Sequence, residues 1–477
     1  MTSALALPRT VSLSQKWGAL AVLMAGTFMI VLDFFIVNVA LPSMQSELHA
    51  STSAIEWVVA GYGLTFAAFL ITAGRVGDRI GRRRTFTLGL ALFTIASLAC
   101  GLAPDPTILI AARLLQGIAA ALISPNVLAI IGVAYQGVER VRALTVYGMV
   151  LGFAAAGAQL IGGALVQADI AGAGWRTVFL INLPVGLAAI LLAPSQLPES
   201  RVATESGSRI DLLGTILVTT GMTALLLPLV EGRQEGFPEW TWISLALAPI
   251  ILAVFLVHQL RLSRRGGRPL IELRLFRERS FSAGLVTQLA FWSGMASFFV
   301  VLALYLQQGR GLNALQAGLV FTILAASYLV TSLRAPHLTL HYGRRLILVG
   351  ALTLAAGYAL LLMGVDFAVA ADGLVWIVAL APGLVLAGAG MGLCITPLVS
   401  TVLSSVQPEH AGAASGILST VQQLGNALGV AVTGLLFFGA LPHGGYSYAF
   451  ELALAQFVVL LVCVAGLSRL LPRGSRA

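Results

Sequence analysis

The sequence predicts an all-α polytopic membrane protein, and three observations support that class. Of the 477 residues, 58% are apolar and only 10% are charged, whereas a soluble domain is about 45–50% apolar and about 25% charged. Apolar segments of about 20 residues, long enough to cross a bilayer as a helix, recur along the whole chain. The basic residues lie mostly in the short segments between them. A water-soluble enzyme is therefore excluded, and we expect neither enzymatic activity nor a cofactor.

The charge and cysteine patterns exclude several other classes. The 28 Lys and Arg against 19 Asp and Glu give a formal net charge of +9, but basic residues spread over short loops are topology signals rather than a nucleic-acid footprint. Cys100, Cys394 and Cys463 stand far apart inside apolar runs, which predicts neither a disulfide framework nor a metal site. The sequence has no Walker-type phosphate-binding motif, so we do not expect ATP to drive the protein directly.

Hydropathy read in windows of about 19 residues predicts fourteen spans. They lie near residues 17–40, 54–73, 85–103, 107–134, 142–167, 177–196, 210–230, 240–261, 281–306, 314–333, 345–365, 373–403, 412–437 and 446–470. The first run is longer than the about 7–15 residues of a signal-peptide core and contains Asp33 and Asn38, so we expect it to be retained as a span.

The basic residues predict the orientation of these spans. Fourteen spans place both termini on one side, and if that side is the cytoplasm, all of the 28 Lys and Arg except four fall in cytoplasmic segments. The exceptions are Arg176, Arg233 and Arg310 in outer segments and Arg113 within a span. The positive-inside rule therefore predicts cytoplasmic termini. Because the chain favours Arg over Lys and is rich in Ala and Gly, we expect a bacterial inner (plasma) membrane protein.

Two features of the chain repeat. Residues 81–83 (GRR) after the second span reappear as residues 343–345 after the tenth, and Ser124-Pro125 in the fourth span corresponds to Thr396-Pro397 in the twelfth. Both recur eight spans later, whereas two bare six-span halves would repeat them six spans later.

We therefore expect two six-helix halves separated by an extra helix pair. The halves are residues 1–203 and 281–477, the inserted helix pair is 204–262, and a basic cytoplasmic linker is 263–280. We expect the pair to lie at the periphery. Parallel halves of this kind are a transporter architecture, in which the substrate site lies between the halves near mid-membrane.

The loop between the second and third spans is residues 74–84 (GRVGDRIGRRR). Its glycines allow two helix ends to approach closely, and its acid can sit near a helix N-terminus or an arginine, which would form a cytoplasmic latch. We predict a latch made of Gly74, Asp78, Arg79, Gly81 and Arg82. The alternative is a positive-inside anchor with one incidental acid. The complete spacing resembles the loop signature of the major facilitator superfamily.

The resemblance covers nearly the whole chain. Residues 32–42 (LDFFIVNVALP) resemble the first-span motif of the fourteen-span drug:proton antiporter branch of that superfamily, and residues 113–117 (RLLQG) match its fourth-span element. Residues 388–399 and 413–425 resemble its twelfth- and thirteenth-span patterns, and residues 175–184 resemble the start of its sixth span. The resemblance implies the major facilitator fold and secondary active transport, and it says little about the substrate.

Two departures from the family pattern bear on mechanism. The fifth-span motif of the family carries a Gly-Pro pair shortly before Gly-Gly, whereas this chain has Ala158-Gln159 before Gly162-Gly163. Without the proline, we expect this span to be straighter and closely packed, with Gln159 facing the protein interior. The second copy of the charged loop has Leu340 where the first has Asp78. Only the first copy can therefore supply an acidic latch.

Asp33 and Arg113 are charged residues inside predicted spans. An ionised carboxylate at such a depth is costly unless it is paired or hydrated, so it marks function by default. At about 1.5 Å per residue, Asp33 lies roughly 12 Å and Arg113 roughly 9 Å from the outer ends of their spans, so the two could meet. We predict that they couple transport to protons, because a nearby guanidinium favours the ionised carboxylate and its departure favours proton uptake. The alternatives are a neutral, hydrogen-bonded Asp33 and an Arg113 that tethers backbone carbonyls.

Polar and aromatic side chains within the spans are candidates for a substrate cavity. Aromatic rings bind cations by cation–π contact and lipophilic compounds by stacking, although aromatic residues at span ends are usually interface belts. The acids Glu56 and Glu451 lie at outer span ends, where we expect solvation. The predicted cavity residues are Asn38, Tyr62, Gln116, Gln159, Trp292 and Tyr305.

Together these features predict a proton-coupled exporter of amphipathic or lipophilic drugs and toxic compounds, cationic or neutral, that works by alternating access. Its partners would be small lipophilic substrates, protons and the lipid bilayer, with no nucleic acid and with a monomeric transport unit. One alternative is export of a specific endogenous metabolite, which a biosynthetic gene cluster beside the gene would favour. Another is a membrane sensor with a degenerate transporter fold, against which the intact Asp33, Arg113 and Asp78 argue.

Overall fold

The structure is a computed structural model of the chain. It describes residues 13–200, 211–232, 235–267, 269–271, 273–370, 375–403 and 411–471. Within these ranges, the side chains of some residues, including Asp78 and Leu340, lie outside the described part.

The described residues fold into α-helices joined by short turns, with no strand among them. The helices are α1 Leu13–Glu47, α2 Thr52–Ile80, α3 Arg82–Gly101, α4 Pro106–Ala134, α5 Gly137–Ala168, α6 Thr177–Leu180, α7 Asn182–Gln196, α8 Leu212–Glu231, α9 Glu239–Arg264, α10 Arg279–Leu304, α11 Ala314–Tyr342, α12 Arg344–Ala370, α13 Val375–Leu403 and α14 Ala411–Leu467. A π-helical turn, Tyr305–Gly309, extends α10.

Among the described residues, twelve helical segments are long and apolar enough to cross a membrane, or thirteen if the two parts of α5 count as one span. The protein is therefore a multi-pass membrane protein. One of these segments, Ile417–Leu470, has 54 residues, and a straight helix of that length would be about 80 Å long, more than twice the hydrocarbon thickness. Gly445 interrupts it with φ 68° and ψ −166°. The count of fourteen spans requires this segment to cross twice, and the count and the orientation of the termini stay predictions.

At one end of the bundle, side-chain caps fix where three helices begin. The Ser51 hydroxyl accepts the backbone N–H of Ala54 at 3.2 Å in front of α2. Asp105 accepts two backbone N–H groups in front of α4, whose first residue is proline, and Asn313 forms a capping box with Gln316 in front of α11. Such caps satisfy backbone donors that have no partner within the helix. All three lie at one end of the bundle, which we call the capped end; the end with the α2–α3 and α4–α5 junctions is the basic end.

Helix contacts divide into two groups that meet along a seam. In the first group α1 packs against α5 and α7, and α4 packs against α2 and α3. In the second group α10 packs against α14, and α13 packs against α11 and α12. Between the groups, α5 packs against α11 and α2 packs against α14. These two helix pairs form the most extensive contacts across the seam.

The inserted helices α8 and α9 are only partly peripheral. Helix α9 presents apolar side chains such as Ile243 and Ile250 outward, as expected of a surface that faces lipid. Helix α8 instead packs against both α2 and α14, where Met222 and Leu226 join a buried apolar cluster with residues of both helices. Its hydroxyl side chain at Thr215 lies 2.8 Å from that of Thr72 in α2. The pair thus contacts both groups of helices.

Asp211 joins the inserted pair to the linker at the basic end. Its carboxylate accepts the Gly214 backbone N–H at 2.8 Å and the Gln259 side-chain amide at 2.6 Å, and it lies 2.8 Å from the His258 ring. Although partial burial opposes ionisation, these hydrogen bonds hold the pKa of Asp211 below its usual value. Gln259 also accepts the backbone N–H of Leu270 at 2.6 Å, so one polar cluster holds both helices and the linker together.

Helix α5 corrects one prediction. The expectation of a straighter span is wrong, because its two parts, Val146–Ala155 and Gly157–Ala168, are bent by 44°. Gly152 and Gly157 lie next to the bend. Glycines provide little resistance to bending, so a proline is not needed for the kink.

Candidate functional site

A buried ion pair joins α1 and α4. The Arg113 guanidinium donates through Nη1 to the Asp33 carboxylate, and both side chains are 0% exposed. The structure thus places in contact the two charged side chains that their similar depths in the membrane allow to meet. Removing two ions from water costs several kcal/mol each, so a pair of this kind persists only when further hydrogen bonds satisfy both groups.

Three neighbouring side chains complete the surroundings of Asp33. Its Oδ1 accepts the Gln116 amide at 3.1 Å and the Asn182 amide at 2.9 Å. Both amides also donate to the Ser97 hydroxyl, at 2.9 Å from Gln116 and 3.3 Å from Asn182. The carboxylate is therefore held by amides from α4 and α7, and Ser97 of α3 binds both amides; all three helices belong to the first group. Neutral amides leave its charge to be balanced by Arg113.

Arg113 is tied to the protein by more than its ion pair. Its Nε donates to the Val58 carbonyl at 2.8 Å, its Nη1 donates to Gln116 Oε1 at 2.8 Å, and its Cζ lies 4.4 Å from the Tyr62 ring centroid. Its Nη2 has no hydrogen-bond partner among the described residues. Arg113 therefore both binds a backbone carbonyl and balances the charge of Asp33. The two interpretations of Arg113 drawn from the sequence, a partner of Asp33 and a tether to the backbone, do not exclude each other.

A cavity of about 510 Å³ lies on the seam beside this pair. Its wall contains residues of α1, α2, α4 and α5 from the first group and of α10, α11, α13 and α14 from the second. Among the described lining residues none is charged. Phe34, next to Asp33 in the chain, is part of the wall, whereas Asp33 itself is not. The volume lies in the range of small-molecule sites, about 300–1,000 Å³.

The cavity lies toward the basic end of the bundle. In α4 it is lined by Ser124 and Leu128, near the end of that helix, and in α5 by Tyr147 and Leu151, near its beginning. Both stretches lie in the halves of their helices that are nearer the basic end. The site is therefore displaced from the capped end, where the two groups of helices meet more closely.

Close contacts shut the seam at the capped end. A Cβ atom added to Gly163 in α5 would lie 2.4 Å from the backbone oxygen of Ala314 in α11, so only glycine permits this approach. Gln307, in the π-helical turn, donates across the seam to the Val39 carbonyl at 2.9 Å. Glu56, which the sequence places in solvent, is 4% exposed and packs against Gly434 of α14. That expectation is therefore wrong, because the second group of helices covers Glu56.

The predicted latch region lies at the α2–α3 junction. Gly81 has φ +120°, and an added Cβ would lie 2.5 Å from the Glu199 carboxylate, so the turn requires glycine. Glu199 accepts the Arg83 backbone N–H at 3.2 Å and lies within 3.7 Å of two guanidinium groups, those of Arg83 and Arg84. The acid found among these arginines is thus Glu199, which follows α7.

The other latch residues occupy the same junction. Arg82 donates to the Ala129 carbonyl at 3.4 Å, Gly74 faces Pro125 of α4, and Arg79 is exposed. The side chain of Asp78 lies outside the described residues, so its role in a latch stays a prediction.

Of the six predicted cavity residues, Trp292 lines the cavity. The other five are absent from its described wall: Tyr62 lies under Arg113, Gln116 binds Asp33, and Tyr305 stacks on Phe450 at 4.6 Å. Gln159 is buried, as expected, and donates to the Phe35 carbonyl of α1 at 2.7 Å. Asn38, also of α1, is buried as well. Their role in substrate binding stays a prediction.

Sequence reasoning missed several polar residues that the fold brings to these sites. In the sequence Asn182 stands out only as part of a family motif and Ser97 not at all, yet both complete the surroundings of Asp33. Gln288 lines the cavity with a side chain that is 1% exposed. A signal was available, because an amide inside an apolar span is expensive and tends to face the bundle interior.

Two groups of helices around a central cavity, with an ion pair buried beside it, define a membrane transporter of the two-halved kind. The sequence model described as Major Facilitator Superfamily matches residues 23–430. The chain belongs to the Major Facilitator Superfamily.

Relatives and solved structures agree with that assignment. The probable actinorhodin transporter of Streptomyces coelicolor is 40% identical over 430 residues, 90% of this chain and 73% of that protein. The cephamycin export protein CmcT of Amycolatopsis lactamdurans is 34% identical over 486 residues, 98% and 95% of the two chains. The multidrug resistance protein Stp of Mycobacterium tuberculosis is 33% identical over 410 residues, 86% and 73% of the two chains.

The fold is similar to that of solved transporters. A D-xylose-proton symporter superposes with a TM-score of 0.66 at 17% identity, covering 96% of this chain and 98% of that one. An auto-inhibited POT family peptide transporter gives a TM-score of 0.70 at 12% identity, covering 96% and 97%. At these identities the likeness concerns the fold alone.

Proposed function

We propose that the protein is a proton-coupled exporter of amphipathic or lipophilic drugs and toxic compounds. The observation that carries this proposal is the Asp33–Arg113 pair, which is buried one residue away from the wall of an uncharged cavity between the two groups of helices. A carboxylate that can be neutralised beside a substrate cavity is what exchange of a lipophilic compound for a proton requires. Relatives named for drug resistance and antibiotic export support the substrate class.

The proton would act through the ion pair. A proton on Asp33 removes the negative charge that holds Arg113, and the guanidinium then keeps its bonds to Val58 and Gln116. The freed α1 can shift against α4, because the strongest contact between them is gone. Loss of the proton restores the pair. Each proton that binds and leaves thus moves the helix that carries Phe34 and Phe35 in the cavity wall.

Alternating access would follow from rocking of the two halves, residues 1–203 and 281–477. In the conformation described here the capped end is shut and the cavity lies toward the basic end. With cytoplasmic termini, this is the conformation that receives substrate from inside. The opposite movement would be guided by the inserted pair at 204–262, the linker at 263–280 and the latch at the α2–α3 junction. The transport unit would be a monomer in the bacterial inner membrane.

Proteoliposomes test the coupling directly. Vesicles with an acidic lumen should accumulate a fluorescent lipophilic compound against its gradient, and a protonophore that collapses the pH gradient should release it. Accumulation that is indifferent to the protonophore would exclude proton coupling, and equilibration without accumulation would indicate a passive facilitator.

A second candidate is export of one endogenous metabolite. The observation in its favour is that two of the relatives, at 40% and 34% identity, are named for single antibiotics, actinorhodin and cephamycin. A panel of structurally unrelated compounds separates the two functions, since a dedicated exporter accumulates one chemical class and a multidrug exporter several. A membrane sensor is the third alternative, and accumulation of any compound excludes it.

A further inference from the structure

We propose that the side-chain amide of Gln288 determines substrate specificity. It forms hydrogen bonds with a donor and an acceptor that lie next to each other on an uncharged, flat, aromatic substrate. This inference rests on the proposed transport function, because it assigns the substrate class of the same cavity. It goes beyond that function because it excludes permanent cations as preferred ligands and names the residue that selects among substrates.

Gln288 has an unusual position among the polar side chains of the spans. It belongs to α10, is 1% exposed and lines the cavity. Neither its Nε2 nor its Oε1 has a hydrogen-bond partner among the described residues. A buried amide without partners is costly, so the group that compensates for both atoms has to enter from the cavity.

The chemistry of a primary amide defines that group. Its NH₂ donates and its oxygen accepts, side by side in one plane. The complementary ligand therefore presents an acceptor next to a donor, as a lactam, a carboxamide or a hydroxyl beside a carbonyl does. Asn426, on α14 of the same group of helices, adds a second buried acceptor, because its Oδ1 also has no partner within the described residues.

The rest of the wall favours an uncharged and flat molecule. Phe34, Phe35, Trp292 and Phe299 line the cavity, and the rings of Phe35 and Phe299 lie 5.0 Å apart. Flat aromatic ligands stack on such rings. Since none of the described lining residues is charged, an ion would have to leave water without a counter-ion, at a cost that cation–π contacts offset only in part.

A matched set of three-ring compounds tests this reading. Phenanthridinone is an uncharged lactam with neighbouring N–H and C=O groups; its N-methyl derivative lacks the donor; N-methylphenanthridinium is a permanent cation of similar shape. Equilibrium binding of each to the purified protein in nanodiscs is measured by titration calorimetry. We expect the lactam to bind about tenfold more tightly than either analogue. The methyl group removes the donor and its bulk holds the neighbouring carbonyl away from the Gln288 amide, and the cation offers neither group, so each analogue loses hydrogen bonds that contribute about this much in a dry site.

Two variants at one position connect that preference to Gln288. Gln288→Leu should weaken lactam binding about tenfold and leave the N-methyl derivative within about twofold, which removes the preference. Gln288→Glu at pH 8 should bind the cation more tightly than the wild type does, because the carboxylate supplies a counter-ion. This gain of binding tests the role of Gln288 even if the leucine variant does not fold. Gln422→Leu makes the same change elsewhere in the wall and should keep the preference for the lactam.

Several results would overturn the inference. They are a wild type that binds the cation as tightly as the lactam, a wild type that binds none of the three compounds, and a Gln288→Leu variant that keeps the lactam preference. These outcomes are separate from failure of the proposed function, which would appear as an intact binding pattern without proton-driven accumulation in proteoliposomes.

Discussion

Arg113 on α4 and Asp33 on α1 form an ion pair from which solvent is excluded on all sides. Asn182 donates to the carboxylate, Val58 accepts from the guanidinium, and Gln116 bonds to both partners. Either change that breaks the pair leaves one buried charge without its counter-ion. Neutralising Asp33 leaves the Arg113 guanidinium, which keeps its bonds to Val58 and Gln116, and removing Arg113 leaves the Asp33 carboxylate.

The first prediction concerns Asp33→Asn. Asparagine has the same shape and can still accept from Gln116 and Asn182, so we expect the variant to fold and insert, with a lower stability because Arg113 loses its counter-ion. It cannot exchange a proton, so accumulation driven by a pH gradient should be lost. The measurement is dye accumulation in proteoliposomes with an acidic lumen, beside the amount of folded protein recovered by gel filtration.

Asp105→Asn is the matched control for that experiment. Asp105 caps α4 at the capped end, and asparagine caps a helix about as well as aspartate, so this variant should transport like the wild type. Uphill transport by Asp33→Asn at normal expression would rule out Asp33 as the proton carrier.

The second prediction concerns Arg113. Arg113→Ala should lower the stability of the protein by about 3–5 kcal/mol, the usual cost of leaving one partner of a buried ion pair uncompensated. Adding Asp33→Asn to that variant should restore much of the loss, because the stranded charge is then gone. Thermal unfolding in detergent measures both effects. Equal destabilisation in the single and double variants would mean that Arg113 matters as a tether to Val58 and not as a counter-ion.

The contact between Asp33 and Arg113 could be predicted because depth in a membrane follows from residue count alone. The direction in which a side chain points could not. A helix that is apolar on nearly every side, such as α1 or α4, has no polar face that distinguishes the side facing the protein interior from the side facing lipid. Gln116 was therefore expected in the cavity, although it faces Asp33.

Contacts between distant segments set a second limit. Glu199 follows a different span from the loop whose arginines it contacts, and the covering of Glu56 depends on α14, far away in the chain. Neither segment carries a local pattern that predicts its partner. The bend in α5 could not be predicted for another reason. The absence of proline favours a straight helix, but the glycines beside the bend permit the kink without one.

The third prediction concerns the latch at the α2–α3 junction. Gly81→Ala should slow the interconversion of the two open conformations and lower thermal stability by about 1–3 kcal/mol, because φ +120° and contact with Glu199 both oppose a Cβ atom. Asp78→Asn should slow interconversion without weakening equilibrium binding. Cysteine accessibility at both ends of the bundle, together with binding titrations, distinguishes the effects. Weaker binding with unchanged accessibility would remove these residues from the latch.

The last prediction concerns closure of the capped end. Gly163→Val should hold the seam open there, because even a Cβ atom would meet the Ala314 backbone oxygen at 2.4 Å and a backbone atom cannot yield alone. Overpacking of this kind costs about 1–3 kcal/mol, which shifts the balance between the two conformations by about fivefold to more than a hundredfold. Thr433→Cys reports the shift, since Thr433 is 1% exposed and lies beside Glu56 in the seam. In a background without the three native cysteines, its labelling by a water-soluble maleimide should accelerate about tenfold, in line with that shift. The control is Gly148→Val, on the same helix at a position with open space around it, which should leave the labelling slow. Fast labelling in that control, or slow labelling in Gly163→Val, would show that the contact between Gly163 and Ala314 does not close the capped end.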